Sequence, residues 1–101
     1  MSSREDELRV EENPQQRRYE VYVGDRLGGF TAYRRRGDVL VFTHTEVEPD
    51  LEGGGVGSRL VRGALDDVRA QGLKLVPLCP FVAAYVRRHP EYADLLAEAG
   101  S

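Results

Sequence analysis

A glycine-rich segment near the middle of the chain is the first stretch that could do chemistry. Residues 51–58 read LEGGGVGS, with glycine at four of the five positions 53–57. Because glycine has no Cβ atom, successive backbone N–H groups of such a turn can approach an anion closely, and a following helix would add its positive end. The segment matches neither a nucleotide phosphate loop nor the G-x-G-x-x-G dinucleotide pattern. It predicts an anion-binding turn, with a flexible surface loop as the alternative.

Four side chains could act as nucleophile, acid or base. Cys79 lies between a predicted strand and a predicted helix, where the helix dipole can lower the pKa of a thiol; the alternative is a small buried apolar residue. His44 and Glu46 share one face of a predicted strand, and either could be a general base; a structural histidine is the alternative. Tyr85 follows Phe81 by four residues, which places both on one helical face, and Phe81 could instead pack on the core.

The elements that must position these residues follow from hydrophobic periodicity. Strands are predicted where apolar or β-branched residues alternate or run together, and a helix where they recur at every third or fourth position. Gly72 is placed to stop the first helix, and the Gly28-Gly29 pair to mark a bulge. The predicted strands are 8–12, 19–23, 27–34, 38–47 and 73–78, and the predicted helices run from 56 to the stop at 72, from 81 to 88 and from 91 to 99.

This order of elements predicts an α/β (α+β) fold. Tight turns join the first strands, so their pairing should be antiparallel. The strand–helix–strand unit should cross over with right-handed connectivity, which makes strands 38–47 and 73–78 parallel. The result is a mixed, mostly antiparallel sheet with one βαβ unit and helices packed on it. Val47, the glycine-rich segment and Cys79 should then converge at one edge of the sheet, where such folds bind ligands.

Length and composition limit the remaining possibilities. The chain has 101 residues and 41% hydrophobic content, which fits one small domain over residues 8–101, with the acidic residues 1–7 as a disordered tail. We expect a cytoplasmic protein without a metal site, because it has one cysteine, no signal-like start and no apolar run near the roughly 20 residues of a membrane span. A net charge of −3 argues against general nucleic-acid binding. The basic corner Arg34-Arg35-Arg36 is either solvated or contacts an acidic substrate.

Three motifs in this order resemble the small, single-domain members of the GCN5-related N-acetyltransferases. They are His44-Thr45-Glu46-Val47 at the end of a strand, the loop from Glu52 to Ser58, and the segment from Pro77 to Val82 that contains Cys79. In the loop, Gly55-Val56-Gly57 matches the Gly-x-Gly core of the family's pyrophosphate-binding turn. The resemblance covers roughly residues 8 to 96. One departure is Glu52, which stands where the wider superfamily commonly has Gln or Arg.

The resemblance implies a minimal form of that fold and a function. It implies acetyl transfer from acetyl-CoA to an amine of a small molecule or a protein, with Cys79 as the catalytic candidate. From the residues themselves we expect His44 or Glu46 as base and Tyr85 as proton donor to the departing thiolate, in a monomer or weak homodimer. A non-catalytic module that binds CoA or acyl-CoA is the alternative, and a small interaction domain whose glycine-rich segment contacts a partner's phosphate is a third interpretation of the residues. The expected cofactor-binding residues are Val47, Gly53, Gly54, Gly55, Val56, Gly57, Ser58, Arg59 and Phe81.

Overall fold

The structure is a computed structural model that describes residues 8–97. The predictions for residues 1–7 and for the last four residues of the domain lie outside this range. The strands are β1 (Leu8–Asn13), β2 (Arg18–Val23), β3 (Arg26–Arg36), β4 (Val39–Val47) and β5 (Lys74–Pro77). The α-helices are α1 (Val56–Ala70) and α2 (Pro80–Arg88), and 3₁₀ turns cover Pro49–Leu51 and Pro90–Leu95. The strands and the first two helices therefore lie where the sequence predicts them.

The predicted α-helix over residues 91–99 is wrong, because this segment is a 3₁₀ turn that ends at Leu95. The chain then extends along the free edge of β5. Leu96 pairs with Leu75 in parallel, and the Ala97 N–H donates to the Leu75 carbonyl at 2.8 Å. Satisfying an edge carbonyl of β5 competes with continuing the helix, and the strand-like pairing prevails.

The five strands form one sheet in the order β1-β2-β3-β4-β5. The pairs from β1 to β4 are antiparallel, and β4 pairs with β5 in parallel, as predicted. Two register shifts interrupt the sheet. One leaves Gly28 as the extra residue of β3, which confirms the predicted bulge, and the other leaves Thr43 as the extra residue of β4. The mixed sheet with one βαβ unit confirms the predicted fold class.

Helix α1 packs on one face of the sheet through its apolar stripe. The buried residues of that stripe are Val56, Leu60, Val61, Ala64, Leu65 and Val68. They meet buried side chains of the strands, among them Tyr19, Phe42 and Leu75. Each fully buried side chain of this size contributes about 1.5–3 kcal/mol. A hydrogen bond of 2.6 Å from the Tyr19 hydroxyl to Asp67 fixes the helix against β2.

The opposite face of the sheet carries polar side chains. Helix α2 and the last 3₁₀ turn lie beside α1, so within residues 8–97 no helix covers this second face. Glu20 is nevertheless only 5% exposed, because Arg18, Tyr22 and Asn13 surround it and each donates a hydrogen bond to its carboxylate. Burial raises the pKa of Glu20, but these donors outweigh burial and lower the pKa overall.

No helix of the described residues is long and apolar enough to cross a membrane.

Candidate functional site

The candidate site begins where β4 and β5 part. The last pair between them is Phe42 with Pro77, whereas β4 continues to Val47. The Cys79 N–H donates to the Phe42 carbonyl at 2.9 Å, after which the chain enters α2. The Glu48 N–H donates to a β3 carbonyl, so strand alternation points the backbone groups of Val47 toward the side that β5 has left. A V-shaped opening with unpaired strand groups results.

The glycine-rich segment closes the wide end of this opening. Gly53 and Gly55 have left-handed φ values of 84° and 86°, which residues with a Cβ atom adopt only under strain. Gly55 is the N-cap of α1, and the first helical hydrogen bond is from Arg59 N–H to Gly55 O. The N–H groups of Val56, Gly57 and Ser58 therefore have no acceptor within residues 8–97. The first turn also contains no acid that would offset its positive end, and Gly55, Gly57 and Ser58 of that end line the opening.

Together these elements enclose a cleft of about 530 Å³, the β4–β5 cleft. Its walls are Thr45, Val47, Glu52, Gly53, Gly55, Gly57, Ser58, Phe81 and Arg88. A Cβ atom on Gly57 would lie 2.7 Å from Phe81 Cζ and 3.3 Å from Val47 Cγ2, so the backbone of α1 packs closely against both side chains and a methyl group there would displace the Phe81 ring. Phe81 is 42% exposed and forms an apolar wall. The cleft thus combines free N–H groups, an apolar wall and one guanidinium.

Comparison with known proteins identifies the family of the chain and relates its fold to a solved structure. A family model for the GCN5-related N-acetyltransferases matches residues 18–95. The chain belongs to this family. The fold is also that of a GCN5-like protein from Staphylococcus aureus, a candidate N-acetyltransferase whose solution structure superposes with a TM-score of 0.67 at 20% identity. That match covers 93% of this chain and 94% of the other. No curated protein matches the chain.

Membership in this acetyltransferase family confirms the predicted relationship and identifies the chain as an acetyltransferase in general terms. The family match includes β4, the glycine-rich segment, α1 and α2, which are the elements that form the β4–β5 cleft. In the described part of the chain, no group of three or more His, Cys, Asp or Glu side chains could hold a metal ion.

Cys79 lies behind the cleft. Its side chain is only 4% exposed, and its Sγ donates to Thr45 Oγ1 at 3.2 Å. Thr45 Oγ1 in turn lies 2.9 Å from Thr31 Oγ1, which is fully buried. Since Thr45 lines the cleft and Cys79 does not, the threonine stands between the thiol and the opening. The predicted convergence of Cys79 with the strand edge is correct, but its thiol is covered.

Tyr85 lies on the inner side of α2. It is buried, and its ring stacks on His89 with a centroid distance of 4.1 Å. Burial raises the pKa of the Tyr85 hydroxyl, so the group keeps its proton at neutral pH. Phe81 and Arg88 of the same helix line the cleft, whereas Tyr85 lies toward α1.

His44 and Glu46 lie on the face of the sheet opposite to Cys79. His44 Nε2 is 2.7 Å from Glu46 Oε2, and the two side chains are 57% and 62% exposed. The imidazole ring also lies 6.1 Å from the ring of Phe30. The structure therefore brings this pair together, as the shared strand face predicts, but separates it from Cys79 by the thickness of β4.

The predicted cofactor-binding residues divide into two groups. Val47, Gly53, Gly55, Gly57, Ser58 and Phe81 line the cleft, and Gly54, Val56 and Arg59 are outside its lining. Val56 belongs to the core, and the Arg59 side chain lines a separate groove beside β1. Sequence reasoning missed Arg88 and Thr45. Arg88 follows Phe81 by seven residues, or two helical turns, and this spacing could have revealed the shared face.

Proposed function

We propose that the chain transfers an acetyl group from acetyl-CoA to an amine. The observation that supports this most directly is the β4–β5 cleft, which runs from unpaired strand backbone to the free N–H groups at the start of α1. The proposal also includes a cytoplasmic location, since the lone cysteine requires no oxidising compartment.

The residues of the cleft fit a CoA thioester. The N–H groups of Val56, Gly57 and Ser58 suit a pyrophosphate, and the Arg88 guanidinium can add a charge-assisted contact. The unpaired backbone of β4 near Val47 suits the amide groups of the pantetheine arm, which need hydrogen-bond partners. Acetyl-CoA would supply an acetyl group activated as a thioester.

The chain's own residues supply the proton transfers. The proposed base is the His44–Glu46 pair, which is exposed on the uncovered face and can take a proton from an incoming amine. Tyr85 is the proposed acid; because it lies toward α1 and not in the cleft lining, α2 must shift before its hydroxyl can reach the departing thiolate. Cys79 remains a catalytic candidate, although a covalent role requires Thr45 to move aside. These assignments place base and acid on opposite sides of β4.

The acids around the end of β4 have opposite effects on the two substrates. Glu46, Glu48 and Glu52 line a second groove of about 330 Å³, which shares Thr45 and Val47 with the cleft. Carboxylates there attract a protonated amine. Glu52 also lines the cleft itself, where it opposes an anion bound at the helix N-terminus. Replacing Glu52 by Gln should therefore tighten CoA binding, and more so at low salt.

Isothermal titration calorimetry with CoA and acetyl-CoA tests the cofactor site. We expect both to bind the wild-type chain and Arg88→Ala to bind several-fold more weakly, since an exposed charge contact contributes roughly 0.2–1 kcal/mol. Arg87→Ala is the matched control, because Arg87 is equally exposed on α2 but does not line the cleft. No heat of binding at millimolar ligand would rule out the proposal.

A non-catalytic CoA-binding module is the second candidate, and the burial of Cys79 favours it. The two are separated by incubating the chain with acetyl-CoA and a panel of amines and following free thiol release. Binding without transfer or hydrolysis supports the module. Intact mass measured on wild-type and Cys79→Ala chains then tests the thiol: an acetyl-sized adduct that persists in the variant would exclude Cys79 as its acceptor.

A further inference from the structure

Another concave surface, the arginine groove, lies across the hairpin end of β3 and β4. It measures about 1120 Å³, roughly twice the β4–β5 cleft at about 530 Å³. Its lining includes Arg17, Arg34, Arg35, Arg36, Val41 and Leu78. Nothing in the proposed cofactor site or its catalytic groups uses these residues.

The groove concentrates positive charge on a chain of net charge −3. Four guanidinium groups line it against one carboxylate, that of Glu12, which already accepts a hydrogen bond from the Tyr33 hydroxyl. Within residues 8–97, none of the ion pairs involves Arg17 or the three arginines from Arg34 to Arg36. Arg35 Nε donates to the Gly37 carbonyl at 2.8 Å, which leaves its two terminal nitrogens, like the other three guanidinium groups, without a carboxylate partner among the described residues.

Arg17 stands at a position that suits glycine better. Its φ of 57° makes it the non-glycine residue with left-handed backbone in the described chain, a conformation that L side chains adopt at a cost. The turn is held by a hydrogen bond from Arg17 N–H to Pro14 O and by one from Tyr33 N–H to Arg17 O. The left-handed turn thus places a fourth arginine at the groove, at some cost in backbone energy.

The groove also offers an apolar contact between its charges. Leu78, which lines the groove, is 65% exposed and so is accessible to a ligand. Val41 is half-buried and pairs with Arg34 across the hairpin, on the face of the sheet opposite to α1. A ligand that complements this surface carries several negative charges around an apolar side chain.

We propose that the arginine groove binds an acidic segment of a protein whose amine is acetylated. The role of the segment rests on the proposed function, whereas its binding does not. The groove reaches Thr43 and Leu78, the chain neighbours of His44 and Cys79, so a bound segment would lead toward the proposed base. There the acidic end of β4 attracts the cationic amine, and the arginines hold the anionic residues beside it.

Fluorescence anisotropy tests the binding directly, without CoA. The probe is a labelled decapeptide of glutamates with one central leucine, and the control peptide has glutamine in place of every glutamate. We expect wild-type chain to bind only the acidic peptide, with affinity falling as salt rises. Each groove arginine removed, as in Arg34→Ala and Arg36→Ala, should weaken binding roughly two- to five-fold, whereas the exposed Arg87→Ala outside the groove should leave it unchanged.

Arg17→Gly separates binding from folding. It removes a groove cation and relieves the left-handed backbone, so thermal stability should hold or rise while peptide affinity falls. Equal binding of both peptides, an equal loss in Arg87→Ala, or tighter binding of a uridine oligonucleotide than of the acidic peptide would overturn the proposal.

The role of the segment is tested with acetyl-CoA and two lysine peptides, one with and one without the acidic flank. Preference for the flanked peptide that becomes smaller in Arg34→Ala supports the acceptor role. Acetylation of both at equal rates overturns that role. A chain that binds the acidic peptide but not CoA would instead refute the proposed function and leave the groove's binding intact.

Discussion

Substituting Gly57 by alanine tests whether the β4–β5 cleft is the cofactor site. The new methyl group would lie 2.7 Å from Phe81 Cζ, whereas carbon atoms pack best at about 3.5–4.0 Å, so the ring must shift by about 1 Å. Phe81 is 42% exposed, and the contacting atom is the tip of its ring. The ring can therefore move outward, and it moves into the space of the cleft.

The stability of Gly57→Ala should change little. Alanine favours a helix over glycine by up to about 1 kcal/mol, which offsets the cost of moving an exposed ring. Affinity for CoA should instead fall at least about tenfold, or 1.4 kcal/mol, because the methyl and the displaced ring both occupy the cleft beside the free N–H groups. Fold and binding thus respond in different ways to one added carbon.

Calorimetric titration with CoA, alongside thermal unfolding, measures both effects. Gly54→Ala is the matched control, because Gly54 lacks a left-handed φ and its added methyl would meet only the Leu51 carbonyl, at an ordinary 3.5 Å. The double variant Gly57→Ala/Phe81→Ala should show non-additive losses, since the two residues act through one contact. If folded Gly57→Ala binds CoA as tightly as wild type, the cleft is not the cofactor site.

Three further predictions concern the fold. Gly63→Ala should lower the free energy of unfolding, measured by chemical denaturation, by about 1–3 kcal/mol. The reason is that a Cβ atom at this position would lie 2.7–2.8 Å from three atoms of Val10, so β1 must shift. Unchanged stability would contradict the packing of α1 on β1. Tyr19→Phe removes the hydrogen bond to Asp67 and should lower the free energy of unfolding by about 1.5–3 kcal/mol. An unchanged unfolding midpoint would show that this hydrogen bond does not stabilise the fold. The pKa of Glu20 is lower in the folded than in the unfolded chain, so Glu20 stabilises the fold above its unfolded pKa, and this stabilisation is lost as pH falls through its folded pKa. In Glu20→Gln the free energy of unfolding should therefore fall less steeply at acid pH than in the wild type. The same decrease in both chains would refute this role of Glu20.

Periodicity was sufficient to predict the sheet and the first two helices. The stripe of α1 has an unambiguous helical spacing, β2 alternates as a strand does, and β4 is a run rich in β-branched and aromatic residues. Local sequence and tertiary packing therefore favour the same elements. The last segment differs because its local helical preference competes with strand pairing to a residue that is distant in sequence. Its residues can continue a helix, but Leu96 instead pairs with Leu75, which is far away in sequence.

The candidate site was predicted in outline but not in its arrangement. Glycine spacing and the strand-to-helix position located the free N–H groups at the start of α1. The depth of Cys79 behind Thr45 depends on how β4 and β5 part, and no single segment encodes that distance. The sequence predicts Arg59 as a cofactor-binding residue, but Arg59 lines another groove, and two turns of α2 bring Arg88 to the cleft instead.

Strand β4 divides the proposed reaction between the two faces of the sheet. Val47 and Thr45 point toward the helices and line the cleft, while His44 and Glu46 point to the uncovered face. An exposed base on that face can meet an amine only from outside, and the cleft can hold a thioester only from the helix side. The two substrates would therefore meet where β5 has ended, because elsewhere the paired strands separate the faces. The early end of β5 at Pro77 is thus as important to the proposed function as the glycine-rich segment.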